Sequence, residues 1–301
     1  MKLKKIACVI LAGGESERFG GDKLLTKYKG EEIIKRVCKA AKPCVDDLYI
    51  SARTRERAEQ LATVLNNLID GYLVDTYSGC QGPLRGMATA TELGHEYILT
   101  LSADLPEIKT ETLAVFLQKL VDKEYSGGSI VWGNGAVETL IQLHKTEELR
   151  AIFPKLCQAR GEVARPSDLL RASASVLLIH GRELTDDPRV FANVNRPEDL
   201  MSLEPRAPLE GWVKEDIHLG PWHSELFWRA TAGLSGERLE EAEANYLAEA
   251  EGYLKMGLTH LAGHALMDAG VAAERMGDMG RAENYRRRSR EILSRMSYEF
   301  G

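Results

Sequence analysis

Two cations and two carboxylates, each beside a break in regular structure, are the residues of this chain best placed to do chemistry. Arg18 and Lys23 lie in the stretch Leu11-Ala12-Gly13-Gly14-Glu15-Ser16-Glu17-Arg18-Phe19-Gly20-Gly21-Asp22-Lys23. Glycines there let backbone N–H groups approach an anion closely, while Arg18 offers bidentate contacts and Lys23 a mobile point charge. That combination favours the holding of phosphates. The stretch is neither a Walker A loop, which needs Gly-Lys-Ser/Thr, nor the G-x-G-x-x-G dinucleotide fingerprint. The carboxylates are Asp75 and Asp104, the latter in Ala103-Asp104-Leu105-Pro106. A carboxylate next to a phosphate site can hold a divalent metal or accept hydrogen bonds from the ligand.

Positioning these groups requires strands that end where they stand. The apolar run Ile6–Leu11 reads as a buried strand leading into Gly13. Asp47–Ala52 reads as a second strand, Gly71–Val74 as a short one ending at Asp75, and Tyr97–Leu101 as one ending at Ser102-Ala103-Asp104. Helical stripes fall between them, over Glu31–Ala41, Glu56–Leu68, Gly82–Leu93 and Lys109–Val121. Such alternation implies an α/β domain with a mostly parallel, Rossmann-like sheet covered on both faces, whose ligands sit beyond the carboxyl ends of the strands. Ser129–Trp132 and Thr139–His144 read as further strands joined through Gly133-Asn134-Gly135, Glu147–Leu156 and Pro166–Ala172 as short helices, and Ser175–His180 as another strand.

The pattern L-A-G-G-x-S-x-R-x-G-x-x-K over Leu11–Lys23 resembles the signature loop of nucleotidyltransferases of the molybdenum cofactor guanylyltransferase kind. Gly82-Pro83-Leu84-Arg85-Gly86-Met87 resembles the family's G-P-L-A-G-[IM] segment, with Arg85 for the usual alanine, free to contact phosphate or to stay solvated. Asn193-Val194-Asn195-Arg196-Pro197-Glu198-Asp199-Leu200 resembles its closing motif. The resemblance covers residues 5–201. It implies GTP and the terminal phosphate of a molybdopterin giving a guanine dinucleotide cofactor and pyrophosphate, with Mg²⁺ held by Asp104. It further implies Arg18, Lys23 and Asp104 as catalytic groups, and nucleotide contacts from Leu11, Ala12, Gly13, Gly14, Lys23, Ser51, Asp75, Gly82 and Asp104. Asn193 and Asn195 would face the acceptor. The chain departs from the pattern at Ser51, where relatives carry asparagine, and at Ala136-Val137-Glu138-Thr139-Leu140, where relatives often carry proline. A cytidylyl- or guanylyltransferase for another phosphorylated cofactor precursor, or a non-catalytic nucleotide-binding scaffold, are the alternative expectations.

Length and composition bound the rest. At 301 residues two domains are expected: 1–203 for the transferase, 204–223 as a proline-bearing linker, and 224–301 as an all-helical domain. Ala265–Leu293 resembles one tetratricopeptide-type hairpin, with a weaker unit near Leu234–Lys255; so few repeats cannot bury a solenoid face alone, so packing on the transferase domain or on another protein copy or partner is expected. The formal charge of −6, from 39 Lys+Arg against 45 Asp+Glu, argues against general nucleic-acid or anionic-membrane binding. No apolar run approaches a membrane span and the apolar start is too short for a signal peptide, so a cytoplasmic protein is expected. Cys8, Cys38, Cys44, Cys80 and Cys157 show no C-x-x-C spacing and read as buried thiols rather than a disulfide framework. His260 and His264, four apart, lack the H-E-x-x-H pattern of a zinc site; Trp212, Trp222 and Trp228 read as anchors, and Arg286-Arg287-Arg288 as a solvated face.

Overall fold

The computed structural model describes residues 5–14, 19–123, 125–205, 207–236 and 238–294. Strand β1 (Ile6–Leu11) runs parallel to both β4 (Asp47–Ala52) and β6 (Tyr97–Ser102), and β4 carries β5 (Gly71–Val74) at the edge. Beyond β6 the sheet continues through β8 (Gln142–Lys145), β7 (Gly127–Val131), β9 (Val176–His180) and β10 (Ile217–Leu219). The order is β10-β9-β7-β8-β6-β1-β4-β5, with β8 antiparallel to both neighbours and β10 antiparallel to β9. A mostly parallel sheet is therefore present, as the strand–helix alternation predicted.

Alternation along β1 sends Cys8 and Ile10 to one face and Ala7 and Val9 to the other. On the first face lie α1 (Ile33–Ala41) and α4 (Thr110–Val121), through Ile34, Val37, Leu113 and Phe116. On the second lie α3 (Pro83–Thr89) and α5 (Thr146–Arg160), through Leu84, Met87, Ile152 and Phe153. Helix α2 (Arg55–Leu65) follows β4, and α6 (Ser167–Ala172) precedes β9.

The remaining helices are α7 (Pro221–Ser235), α8 (Leu239–Lys255), α9 (Thr259–Arg275) and α10 (Met279–Ser294). Gly257 (φ 76°) and Gly277 (φ 81°) stand just past α8 and α9 in the left-handed conformation that closes a helix, which glycine adopts without a Cβ penalty. Phe227, Tyr246 and Ala269 from these helices join the core under α3 and α5, so the extension packs on the α/β layer. The tryptophans act as anchors: Trp228 donates to the Ala172 carbonyl at 3.0 Å and Trp212 to that of Gly257 at 2.9 Å. His264 and His260 serve the same seam, His264 against Ser167 Oγ at 2.7 Å and His260 against the Val137 backbone. Among the described residues no helix is long and apolar enough to cross a membrane.

Three expectations need correction. The helix predicted from Glu31 begins at Ile33, because Glu31–Glu32 pairs with Lys27–Tyr28 as a small hairpin (β3 with β2). Its turn, Lys29 and Gly30, has both φ angles positive, as a two-residue hairpin turn requires. The segment read as a linker contributes β10, whose three residues are given strand form by pairing with β9 rather than by any pattern of their own. Finally, Cys80 and Cys157, read as thiols, form a disulfide across a sequence separation of 77, with Cα atoms 5.2 Å apart. Cys8 and Cys38 are buried free thiols, and burial pushes Cys38 up to about 12.

Candidate nucleotide site

A cavity of about 900 Å³ opens at the carboxyl ends of β1, β4, β5 and β6. Backbone hydrogen bonds align these ends: Ala12 N–H donates to Ser51 O at 2.8 Å, Asp75 N–H to Ala52 O at 2.9 Å, and Ala103 N–H to Leu11 O at 3.3 Å. β1, β5 and β6 stop where their apolar runs give way to Gly13, Asp75 and Ser102, and β4 carries Ser51 as its penultimate residue, so these polar groups gather on one rim. Leu11, Ala12, Gly13, Gly14, Lys23, Ser51, Asp75, Gly82 and Asp104, the residues expected to contact a nucleotide, all line the cavity.

Lys23 and Asp104, far apart in sequence, meet at 2.8 Å between Nζ and Oδ2. Ser102 Oγ donates to the other oxygen, Oδ1, at 2.6 Å, and Val194 N–H donates to the Asp104 carbonyl at 3.0 Å. The carboxylate is thus fixed in direction with a mobile ammonium on its open side. Next to Lys23, Asp22 receives both terminal nitrogens of Arg57 (2.6 and 2.8 Å), which holds its carboxyl below the usual range and pins the loop.

Asp75 lies deeper. Burial raises its pKa above the ordinary value, partly opposed by a hydrogen bond from Ser51 Oγ and by the nearby cations of Arg85 and Arg53. The backbone approaches so closely that a Cβ on Gly86 would lie 2.7 Å from Ser51 Oγ and 3.1 Å from Leu11, and one on Gly13 3.0 Å from Asp75 Oδ2. These contacts explain glycine at both positions. Arg85, left open between phosphate contact and solvation, lines the cavity and donates from Nε to the Tyr77 carbonyl at 3.2 Å.

Arg18 lies outside the described residues. Asn193 and Asn195 do not line this cavity; the Asn195 backbone N–H donates to the Asp199 carboxylate at 2.7 Å, within the turn over Pro197–Leu200. The reading from sequence missed Ser102, Arg53, the Tyr77–Gln81 run, Leu140, Gly161 and Glu162, all on the cavity wall. Ser102, two residues before Asp104, carried a local signal. Glu162 carried none, since only the fold brings it to Gln81.

Among the described residues no cluster of three or more His, Cys, Asp or Glu could cage a metal. A hard divalent cation that keeps waters and takes one carboxylate plus phosphate oxygens is compatible in donor chemistry with Asp104, which lines the cavity together with Gly13 and Gly14. The arrangement can neutralise a polyphosphate and orient a reacting phosphorus.

Residues 8–176 match the model of the MobA-like NTP transferase domain family. A probable molybdenum cofactor guanylyltransferase of Nostoc sp. is 34% identical over 206 residues, covering 67% of this chain and 92% of its own. The molybdenum cofactor guanylyltransferase of Shewanella halifaxensis is 30% identical over 203 residues, covering 66% and 94%. A probable one of Geobacillus sp. is 29% identical over 201 residues, covering 66% and 97%. The family match ends before α7, so the helical extension lies outside it. With more than half of its length matched by the family's model, the chain belongs to the MobA-like NTP transferase domain family.

Proposed function

We propose that this enzyme transfers the guanylyl group of GTP to the terminal phosphate of a molybdopterin-type acceptor, with Mg²⁺, releasing pyrophosphate. The observation that carries the reading is the Lys23–Asp104 pair, oriented by Ser102, at the strand end beside Gly13 and Gly14. Support for guanine comes from Asp75, whose carboxylate can accept from a ring N–H and an adjacent exocyclic amino group, and from the names of the curated relatives.

The reaction is an in-line displacement. An acceptor phosphate oxygen forms a bond to the α-phosphorus as the bond from that phosphorus to the bridging oxygen of pyrophosphate breaks. Such chemistry needs alignment and charge neutralisation more than covalent help. Glycine-loop N–H groups at Gly13 and Gly14 hold the phosphates in line. Lys23 moves its ammonium from Asp104 to the phosphates when the triphosphate enters, and follows the charge that builds on the leaving oxygen. A magnesium ion held by Asp104 would supply Lewis-acid polarisation of the α-phosphate. Asn193 and Asn195, joined to the Asp104 strand end through Val194, are proposed to meet the acceptor from outside the nucleotide cavity.

Pyrophosphate release from each ribonucleoside triphosphate, with Mg²⁺ and purified molybdopterin, tests the reading. Release from GTP alone, dependent on the pterin and abolished by chelator, is expected. Release from CTP instead would reassign the base, and release with a different phosphorylated acceptor would reassign the second substrate.

A further inference from the structure

The Cys80–Cys157 disulfide lies on the cavity wall, and the transfer reaction does not use it. Cys80 belongs to the irregular run between β5 and α3, of which Tyr77, Gly79 and Gly82 also face the cavity. Cys157 lies in α5, one turn before the wall residues Gly161 and Glu162. A second tie runs beside the disulfide, from Gln81 Nε2 to Glu162 Oε1 at 2.7 Å, but this hydrogen bond is exposed and weak alone. The α5 end is held rigidly from behind, since Arg160 pairs with Asp168 at 2.9 Å and Asp268 at 2.8 Å. The irregular run is therefore tied to a fixed helix by one covalent bond, by the Gln81–Glu162 hydrogen bond and by Tyr77 packed against Phe153. Both cysteines are buried, 3% and 7% exposed, and the cavity is the open space that borders them.

We propose that Cys80–Cys157 is a reversible thiol–disulfide modification site, opened by a small dithiol entering the cavity, which sets the affinity of the cavity for its nucleotide. This rests on the nucleotide reading of the cavity. A reductant thiolate attacks one sulfur and forms a mixed disulfide, and the released cysteine thiolate takes up a proton. The second thiol of the reductant, losing its proton, displaces the other cysteine, so the reductant leaves as its cyclic disulfide and both cysteines end as thiols. With the clasp open, the wall carrying Gly79 and Gly82 keeps the Gln81–Glu162 and Arg85–Tyr77 hydrogen bonds and the packing of Tyr77 on Phe153, with ring centroids 6.0 Å apart, but no covalent tie to α5. Linkage then runs both ways: whatever factor the disulfide contributes to nucleotide affinity, bound nucleotide contributes to resistance against reduction.

The test uses the full chain, oxidised or treated with dithiothreitol. Quenching and alkylation under denaturing conditions should label three cysteines before reduction and five after, since Cys8, Cys38 and Cys44 are free thiols among five in all. Titration with GTP and Mg²⁺ should give about tenfold weaker binding in the reduced form, within the range of ordinary site coupling. Saturating GTP should shift the dithiol equilibrium by that same factor. Cys157→Ser should bind like the reduced wild type and ignore the dithiol; the wild-type comparison stands on its own should that variant misfold. Five labelled cysteines before reduction would overturn the proposal. So would equal GTP affinity in both redox states, which leaves the nucleotide reading intact. Absence of GTP binding in either state would overturn both readings together.

Discussion

Two groups of charges are held in this molecule in opposite ways. At the seam between α5–α6 and the helical extension, Arg171 places Nη1 on Asp168 (2.9 Å) and Asp268 (2.7 Å) and grips Glu249 with Nε and Nη2 (2.8 and 2.7 Å). Arg160 adds Asp168, Asp268 and the Tyr246 hydroxyl, and Arg165 reaches Asp268 at 3.0 Å. Arg171 and Glu249 have fully buried side chains. Burial alone would raise the Asp268 carboxyl, yet the three guanidiniums outweigh it and hold it well below the usual range. In the cavity at the strand ends the pairing is sparse: Lys23 and Asp104 keep side-chain exposures of 14% and 12%, and Asp75 is raised by burial, which outweighs the lowering by its partners. Saturated charges fix a seam, whereas charges with spare capacity facing a cavity await a ligand.

That contrast can be broken experimentally, and the seam should give the largest effect. Asp268→Ala leaves buried guanidiniums under-compensated and is expected to cost about 3–5 kcal/mol of stability, read by denaturant unfolding. Turnover lost at unchanged stability would mean that the network serves the reaction instead. Next comes Asp104→Ala, expected to lower turnover by about 10²–10³-fold while thermal unfolding stays near wild type. A stability loss matching that of Asp268→Ala would erase the distinction between the two regions. Lys23→Ala removes one charge-assisted contact to the triphosphate, worth about 1.5–3 kcal/mol, and should weaken GTP binding by about 10–100-fold in calorimetry.

A buried titratable group with no counter-charge gives a third case. His144, on β8, is buried against Gly127, where an added Cβ would lie 2.5 Å from its Nδ1. Burial pushes its pKa from 6.5 down to about 3. The unfolded chain takes up this proton below pH about 6.5 and the folded chain does not, so stability present above that pH is lost as pH falls toward 3. Between pH 7 and pH 5 the loss from His144 is about 2 kcal/mol, and a His144→Gln variant should show a flatter profile. The smallest effect is expected at Asp75. Its raised pKa means that the ionised form opposes folding, so Asp75→Asn should raise the unfolding midpoint slightly at pH 7 while weakening GTP binding. A lowered midpoint with unchanged binding would show that Asp75 is a structural strand-end residue.

Much of the cavity rim was legible in sequence because its parts are local. Apolar runs of strand length end at Gly13, Asp75 and Asp104, and a parallel sheet puts all such ends on one rim whatever the details of packing. Elements that depend on a distant partner were read less well. β8 spans Gln142–Lys145 rather than the predicted Thr139–His144, since its register is set by pairing with Tyr97–Thr100 on β6. Ile217–Leu219 has no strand signature beyond what β9 imposes on it.

By itself the sequence determined the α/β alternation, the glycine-rich stretch that leads to Lys23, the placement of Asp75 and Asp104 at strand ends, and a helical C-terminal region. Only the tertiary structure decided that Lys23 pairs with Asp104, that Cys80 meets Cys157, and that Arg160 and Arg171 are core residues rather than solvated charges. The reason is physical. Periodicity and turn chemistry act over a few residues and are written locally, whereas burial, ion pairing and disulfide geometry depend on which distant segments the folded chain brings within a few ångströms.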